Sequence, residues 1–192
     1  MTIESLMSAV KQGMRSIAFV GTSCNIDAVY KMQKSPYGFL HLFMRANILK
    51  MGLFCMDTFS YEGIKEFVQS KDMRLEDIES MKIRKGKLEL QASEELKVFG
   101  LEELDRYRSS SCKYCTDLTA ESSDLSFGGV GTPKNWTTVL ARSGLGYEIY
   151  NEAVDNGYIE SRLLKEKEMN NVLNLAKMKK IQMYSLHRRE NP

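Results

Sequence analysis

The sequence is 192 residues long, with 43% hydrophobic and 27% charged residues, a composition typical of a globular protein with a sizeable core. Its formal net charge of +2 is too balanced to indicate nucleic-acid binding, and no run of about 18 uncharged apolar residues predicts a membrane span. The N-terminus lacks the basic and then apolar pattern of a secretory signal. We therefore expect a cytoplasmic protein, in which thiols stay reduced and short-spaced cysteines serve metal or redox chemistry.

The first third of the chain predicts helices that alternate with buried strands. Apolar residues recur three and four positions apart in the helical segments, whereas the strand segments are short apolar runs. In chain order these elements are a helix over 3–13, a strand over 16–20, a helix over 26–33 capped by Asn25, a helix over 39–47 and a strand over 48–54.

One cysteine follows each of the two predicted strands. Cys24 comes after the first strand and a short glycine-containing loop, and Cys55 comes directly after the second strand. Open α/β sheets build their sites beyond the carboxyl ends of their strands, so the two positions are equivalent. A helix that begins next to Cys24 would stabilise a thiolate or a bound anion.

The remaining two thirds predict a second group of strands and helices. Together with the first group they indicate an α/β fold, a mixed sheet flanked by helices with a hairpin insertion, in a single domain over 1–192. The predicted elements are a helix over 64–68, a turn or short helix over 75–80, a hairpin of 81–84 and 87–90, a charged helix over 94–107, a strand over 136–142, a helix over 144–156, a short strand over 158–164 and a helix over 167–187.

The segment Cys112-Lys113-Tyr114-Cys115 holds two of the four cysteines. In a cytosolic protein such a pair is a zinc half-site, an iron–sulfur half-site or a redox dithiol. Taken with Cys24 and Cys55, it supplies four sulfurs, which suffice for one tetrahedral metal ion or one cubane iron–sulfur cluster. Spacing alone does not separate zinc from iron–sulfur.

A glycine-rich run, Gly128-Gly129-Val130-Gly131, follows the cysteine pair. Its backbone amides would allow close approach of a phosphate or a flavin ring, and a turn between two strands explains the pattern equally well. The run is not a GxGxxG that follows a strand and opens a helix, so a dinucleotide-binding Rossmann unit is not predicted.

Several segments, in order and over nearly the whole chain from about Ile17, resemble motifs of the beta subunit family of coenzyme F420 hydrogenases and dehydrogenases. They are FVGTSCN at 19–25, similar to FVGTPCQ; GLFC at 52–55; MKIRKGK at 81–87, similar to DIKKGK; CKYCTD at 112–117, similar to CxxCxD; and DLSFG at 124–128 with WTTV at 136–139, similar to ADISVGD and GWTTV.

The resemblance implies an oxidoreductase subunit, an iron–sulfur flavoprotein that passes electrons between coenzyme F420, or another reduced donor, and a partner redox subunit through FAD and a [4Fe–4S] cluster. No side chain is implied as a catalytic residue, because the cofactors carry the chemistry. By motif position, the resemblance assigns the cluster to Cys24, Cys55, Cys112 and Cys115, and it assigns Thr22, Asn25, Asp117 and Trp136 to the flavin side or to the surroundings of the cluster ligands.

The sequence departs from the family motifs at three positions. Ser23 replaces a proline, Asn25 a glutamine and Gly129 an aspartate. Family members also usually carry a further N-terminal segment before the first motif, so we expect either completion by another chain or loss of part of the flavin or F420 pocket. Two alternatives stay open: a non-enzymatic partner-binding module with a structural zinc site of four cysteines, and a cluster-only electron carrier.

Overall fold

The structure is a computed structural model and describes residues 3–35, 46–84, 86–93 and 95–190. The chain forms two compact units. The first unit comprises Met1–Met56 and Cys115–Pro192, and the second unit comprises Asp57–Tyr114. Each unit has its own hydrophobic core. Whether the two fold as one domain over 1–192 stays a prediction.

The described helices and strands alternate in the first part of the first unit, and the second unit has one helix followed by a three-stranded meander. In chain order they are α1 (Ile3–Lys11), β1 (Ser16–Thr22), α2 (Ser23–Lys34), β2 (Asn47–Leu53), α3 (Tyr61–Gln69), β3 (Ser80–Arg84), β4 (Lys87–Ala92), β5 (Glu95–Gly100), β6 (Leu125–Gly128), β7 (Thr138–Ala141), α4 (Gly144–Asp155) and α5 (Glu166–Glu190), with short 3-10 helices at Leu75–Asp77, Leu101–Tyr107 and Ser110–Tyr114.

The first unit is built on a mixed four-stranded sheet in the order β1-β2-β6-β7. The first three strands are parallel and β7 is antiparallel to β6. Thr22 of β1 pairs with Leu53 of β2, and Leu53 pairs with Phe127 of β6, so all three strands end at one edge. The predicted mixed sheet flanked by helices is confirmed, and Cys24 and Cys55 both follow this edge.

The core of the first unit lies between this sheet and the first two helices. Leu6 of α1 and Ile26 of α2 are buried against Phe19 of β1 and Ile48 of β2. All four side chains are at most 3% exposed, and burial of each such side chain contributes roughly 1.5–3 kcal/mol. The apolar residues whose spacing predicted α1 and α2 therefore form the core. Their packing positions β1 and β2, the strands that precede Cys24 and Cys55.

The second unit carries the antiparallel sheet β3-β4-β5. The predicted hairpin is confirmed, since Ile83 pairs with Leu88 across the turn. The predicted helix over 94–107 is wrong, because residues 95–100 form β5 and a 3-10 helix follows. Phe99 of β5 pairs with Leu88, and its ring meets that of Phe67 edge to face at 5.4 Å. This pairing and packing outweigh the helical propensity of the charged residues.

Three further predictions differ from the structure or lie beyond it. The helix α2 begins at Ser23, so Thr22 and not Asn25 is its N-cap residue. Of the predicted helix over 39–47, residues 39–45 lie outside the described residues and Asn47 begins β2. The segment 158–164 is not a strand.

Within the described ranges, no helix is long and apolar enough to span a membrane.

Candidate cofactor site

Cys24 lies in the first turn of α2, immediately beyond the end of β1. Its sulfur is 3.3 Å from the Thr22 hydroxyl oxygen, and the Asn25 side-chain amide donates to the same oxygen at 3.2 Å. Cys24 is exposed and lies at the N-terminal end of the helix, the positive end of its dipole. Thr22 therefore contacts Cys24, and Asn25 contacts Thr22. The roles assigned to these two residues stay predictions.

Cys55 follows β2 and is fixed through its backbone. Its N–H donates to the carbonyl of Leu118 at 2.8 Å, and the N–H of Phe54 donates to the carbonyl of Phe127 at 2.8 Å. These bonds hold the residue against the segment that follows Cys115. The thiol is half-buried.

Cys115 and Asp117 belong to the same loop of the first unit. The Cys115 thiol donates to the backbone carbonyl of Asp117 at 3.6 Å. The Asp117 carboxylate accepts from the N–H groups of Thr119 at 3.0 Å and Glu121 at 2.9 Å. Asp117 is thus a loop-capping carboxylate that shapes the segment bonded to Cys55, which explains an acidic residue two positions after the second cysteine.

Cys112 lies in the second unit, in the 3-10 helix Ser110–Tyr114. Its sulfur accepts from the backbone N–H of Thr58 at 3.3 Å, and the Thr58 hydroxyl lies 3.4 Å away. The N–H of Ser109 in turn donates to the carbonyl of Thr58 at 2.9 Å. A peptide N–H directed at sulfur stabilises its thiolate form and is one of the factors that set the potential of an iron–sulfur cluster.

The four described cysteines form no disulfide; three lie in the first unit and one in the second. Among the residues that the structure describes, no group of three or more His, Cys, Asp or Glu side chains is arranged to hold a metal ion. The donor set fits a four-thiolate cluster by its chemistry, because soft sulfur ligands suit iron–sulfur clusters. The ligand assignment stays a prediction.

Trp136 lines an open, largely apolar cavity of about 650 Å³ in the first unit. The Arg162 guanidinium lies 5.0 Å from the centre of the Trp136 ring. Glu168 holds this guanidinium with two hydrogen bonds of 2.8 and 2.7 Å, which lower the pKa of Glu168 to about 2. Tyr147 and Tyr150 line the same cavity. Residues of β7 and of the segment 159–164 also line it, and this segment was expected to be part of a strand.

The glycine run connects β6 to β7, as the turn interpretation predicted. Gly128 pairs with Thr138, and a Cβ on Gly128 would lie 2.0 Å from the Phe54 ring, so only glycine fits there. Gly131 has φ +92°, which favours glycine. A Cβ on Gly129 would meet no atom within 4 Å, so an approaching ligand would find the backbone open at this position.

Sequence reasoning missed two features of these surroundings. Arg162 and Glu168 were not singled out, because a charged pair six residues apart has no distinctive pattern. The side chain of Lys179, on α5, is buried and donates to the backbone carbonyls of Cys55 and Met56. The sequence pattern that could have revealed Lys179 is a lysine at a position where the spacing of the helix predicts an apolar residue.

The family model that describes the C terminus of the coenzyme F420 hydrogenase/dehydrogenase beta subunit matches residues 14–167. The chain is 33% identical, over 98% of its length, to coenzyme F420 hydrogenase subunit beta of Methanococcus voltae. It is 34% identical, over 78% of its length, to the coenzyme F420-dependent sulfite reductase of Methanocaldococcus jannaschii. Among solved structures, a chain of the F420-reducing [NiFe] hydrogenase complex from Methanosarcina barkeri superimposes with a TM-score of 0.89, at 28% identity over 97% of this chain.

The matched relatives are longer than this chain. It spans 69% of the Methanococcus protein, 26% of the sulfite reductase and 66% of the solved Methanosarcina chain. The match to the family model covers β1 to the start of α5 and includes all four cysteines. The chain belongs to the family defined by the C-terminal region of the beta subunits of coenzyme F420 hydrogenases and dehydrogenases.

Proposed function

We propose that the chain is the electron-transfer part of an F420-linked oxidoreductase, carrying a [4Fe–4S] cluster and FAD and passing electrons to a partner redox subunit. The observation that carries this proposal is the set of four cysteines that form no disulfide and all lie within residues 14–167, the region matched by the family model. The names of the relatives, which are a hydrogenase subunit and a sulfite reductase that both use F420, support the donor and the assembly into a complex.

The cysteines would hold the cluster as thiolates, and the residues around them would prepare each sulfur. When bound, FAD would exchange a hydride with F420 and the cluster would carry single electrons. Cys24 would bind from the N-terminal end of α2 with the Thr22 hydroxyl in contact with its sulfur, and Cys112 would bind with its sulfur accepting from the Thr58 amide. Asp117 acts at a distance, by fixing the loop that carries Cys115.

The cavity beside Trp136 is our candidate for the flavin ring. Its volume of about 650 Å³ lies in the range of small-molecule sites, and its lining of aromatic and aliphatic side chains suits a flat apolar ring. The cation above Trp136 keeps the indole in place, because Arg162 is itself held by Glu168. Of the residues predicted for the flavin side, Trp136 alone lines this cavity, whereas Thr22, Asn25 and Asp117 contact the cysteine segments.

Metal and flavin analysis of the anaerobically purified chain tests the proposal. We expect about four irons and four acid-labile sulfides per chain, broad absorption near roughly 400 nm and bound flavin. Replacing Cys55 by Ser should reduce the iron content, whereas Ser110→Ala, on the helix that carries Cys112, should not. One zinc in a colourless protein would contradict the proposal and favour the structural zinc module; a cluster without any flavin binding would favour the cluster-only carrier.

Trp136 provides an independent test of the flavin cavity because it is the protein's one tryptophan. Titration with FAD should quench its fluorescence to saturation. Tyr147 lines the cavity, so Tyr147→Ala should weaken this quenching. Tyr158 is 82% exposed and does not line the cavity, so Tyr158→Ala is the matched control and should titrate as the wild type does. Equal quenching in both variants would contradict this placement of the flavin.

A further inference from the structure

The buried face of α5 contains a charge. Its inward stripe consists of Val172, Leu175, Ala176, Lys179 and Met183, spaced three and four residues apart. Val172 is 2% exposed, and Lys179 is equally buried, at 2%. An apolar residue is the ordinary occupant of such a position, since burial of an ammonium group costs free energy unless polar partners compensate it.

The Lys179 ammonium is directed at the backbone of a predicted cluster ligand. It donates to the carbonyl of Cys55 at 2.5 Å and to the carbonyl of Met56 at 2.8 Å. Both acceptors are neutral, and within the described ranges no carboxylate forms an ion pair with Lys179. Lys50, whose side chain is 11% exposed, differs because its ammonium pairs with the Asp124 carboxylate at 2.9 Å.

Carbonyl dipoles satisfy the hydrogen bonds of a buried ammonium but do not neutralise its charge. A net positive charge is thus held beside Cys55 in a poorly solvated place, where electrostatic interactions are less screened than at the surface. The group that would complement it is an anion close to Cys55. A four-thiolate cubane cluster is such a group, because its sulfur charge exceeds its iron charge, and one-electron reduction adds a further negative charge.

We propose that Lys179 is a positioning and charge-compensating residue for the cluster end of the chain. Its ammonium fixes the Cys55–Met56 backbone, and its charge stabilises the reduced cluster more than the oxidised one, which raises the reduction potential. The inference rests on the proposed function, because it requires a cluster bound through Cys55. Lys179 does not ligate the cluster and exchanges no proton or electron in this role.

The potential of the reconstituted full chain tests the electrostatic role. Lys179→Met keeps the unbranched stem of the side chain, is one heavy atom shorter and removes the charge. The reduced cluster should therefore be destabilised by roughly tenfold, a shift of about 59 mV to more negative potential. Lys179→Arg keeps the charge and should retain most of the wild-type potential. The control is Lys180→Met, which removes the same charge from the exposed side of α5, where Lys180 pairs with Glu121 at 2.6 Å; its potential should stay unchanged.

Hydrogen–deuterium exchange of the chain without cofactors tests the positioning role. The amides of Phe54 and Cys55 donate to Phe127 and Leu118, and they should exchange faster in Lys179→Met than in the wild type. Unchanged exchange would refute anchoring by Lys179. If Lys179→Met does not fold, Lys179→Gln replaces it, with the same expected shift in potential.

The possible failures of the two proposals are distinguishable. A wild-type chain that takes up no iron–sulfur cluster under anaerobic reconstitution overturns the proposed function and this inference with it. A cluster present in both proteins, with the same potential in the wild type and in the neutral variant, overturns the inference and leaves the proposed function standing.

Discussion

Among single residues, Asp124 joins β2 to the start of α4 in the first unit. Its carboxylate accepts from the Lys50 backbone N–H at 2.8 Å, from the Lys50 ammonium at 2.9 Å and from the Ser143 hydroxyl at 2.8 Å. Ser143 in turn caps α4 by accepting from the N–H of Gly146. Burial raises the pKa of Asp124, but the hydrogen bonds and charge of Lys50 and the bond from Ser143 outweigh burial and lower it overall.

We expect Asp124→Asn to destabilise the protein by about 2–4 kcal/mol at pH 7, because it leaves the largely buried Lys50 ammonium without its counter-charge. Urea unfolding of the two proteins measures the difference. Because the folded-state pKa is lowered, this stabilisation is present above the ordinary pKa of 3.8 and is lost as the pH falls below it. Asp77→Asn is the control, since Asp77 is exposed and 4.0 Å from Arg74, and it should change little.

We expect the fluorescence of Trp136 to change when acid breaks the Arg162–Glu168 ion pair. The folded-state pKa of Glu168 is about 2, against an ordinary 4.5, so the pair is complete above pH 4.5 and is lost as the pH falls towards 2. Trp136 fluorescence should change in this window, as Arg162 is released from the ring. In Glu168→Gln the altered emission should be present already at pH 7. Wild-type emission that changes only together with the loss of helical circular dichroism would contradict the prediction.

At the scale of elements, the packing of a loop against β2 requires a glycine at position 52. A Cβ on Gly52 would lie 2.2 Å from the Cβ of Ala120, so the loop after Cys115 packs directly on the backbone of β2. Because the loop lies this close to β2, the carbonyl of Leu118 can accept the hydrogen bond from the N–H of Cys55. The glycine of the GLFC motif is therefore explained by packing of the loop against the strand.

Gly52→Ala should consequently cost about 1–3 kcal/mol, because the loop has to move away from β2. Gly144 gives the matched control: it is the first residue of α4, and a Cβ there meets no atom within 4 Å. Gly144→Ala should be neutral or stabilise by up to about 1 kcal/mol, since it reduces the freedom of the unfolded chain. Thermal unfolding of the two variants separates them; equal losses would show that Gly52 is not needed for packing.

The sequence predicts elements where local pattern and tertiary packing agree. The strands before Cys24 and Cys55 are apolar runs in a parallel sheet buried against helices, so the runs located both strands to within two residues. The loop predicted between the first strand and Cys24 is wrong, because β1 continues to Thr22 and α2 begins at Ser23. β5 was mistaken for a helix because its position depends on pairing with β4, which no local pattern reveals. Lys179 was missed for a related reason: its acceptors at 55 and 56 are distant in sequence.

For the whole molecule, the main architectural fact is the insertion of the second unit between β2 and β6. Within each unit, backbone hydrogen bonds join the two chain segments that flank the connections to the other unit. In the first unit the Cys55 amide bonds to Leu118, and in the second unit the Ser109 amide bonds to Thr58 and Phe59 bridges to Arg108. The hairpin insertion expected from the sequence is therefore a three-stranded unit with a separate core.

This architecture predicts that residues 57–114 can be replaced by a short Gly/Ser linker without unfolding the first unit. The linker has little distance to span, because the Cys55 amide and the Leu118 carbonyl are 2.8 Å apart. The shortened chain should keep a cooperative thermal transition and the neutral-pH emission of Trp136, since the core of α1, α2, β1 and β2 contains no residue of the second unit.

The same shortened chain should fail to hold a complete cluster, because it loses Cys112 and retains three thiols. Under anaerobic reconstitution we expect clearly less than four irons per chain, whereas Cys112→Ser in the full chain should show the same loss with the second unit in place. A shortened chain that does not fold would instead indicate one cooperative domain over the full length, as the sequence suggested. One that folds and binds four irons would show that Cys112 is not a ligand.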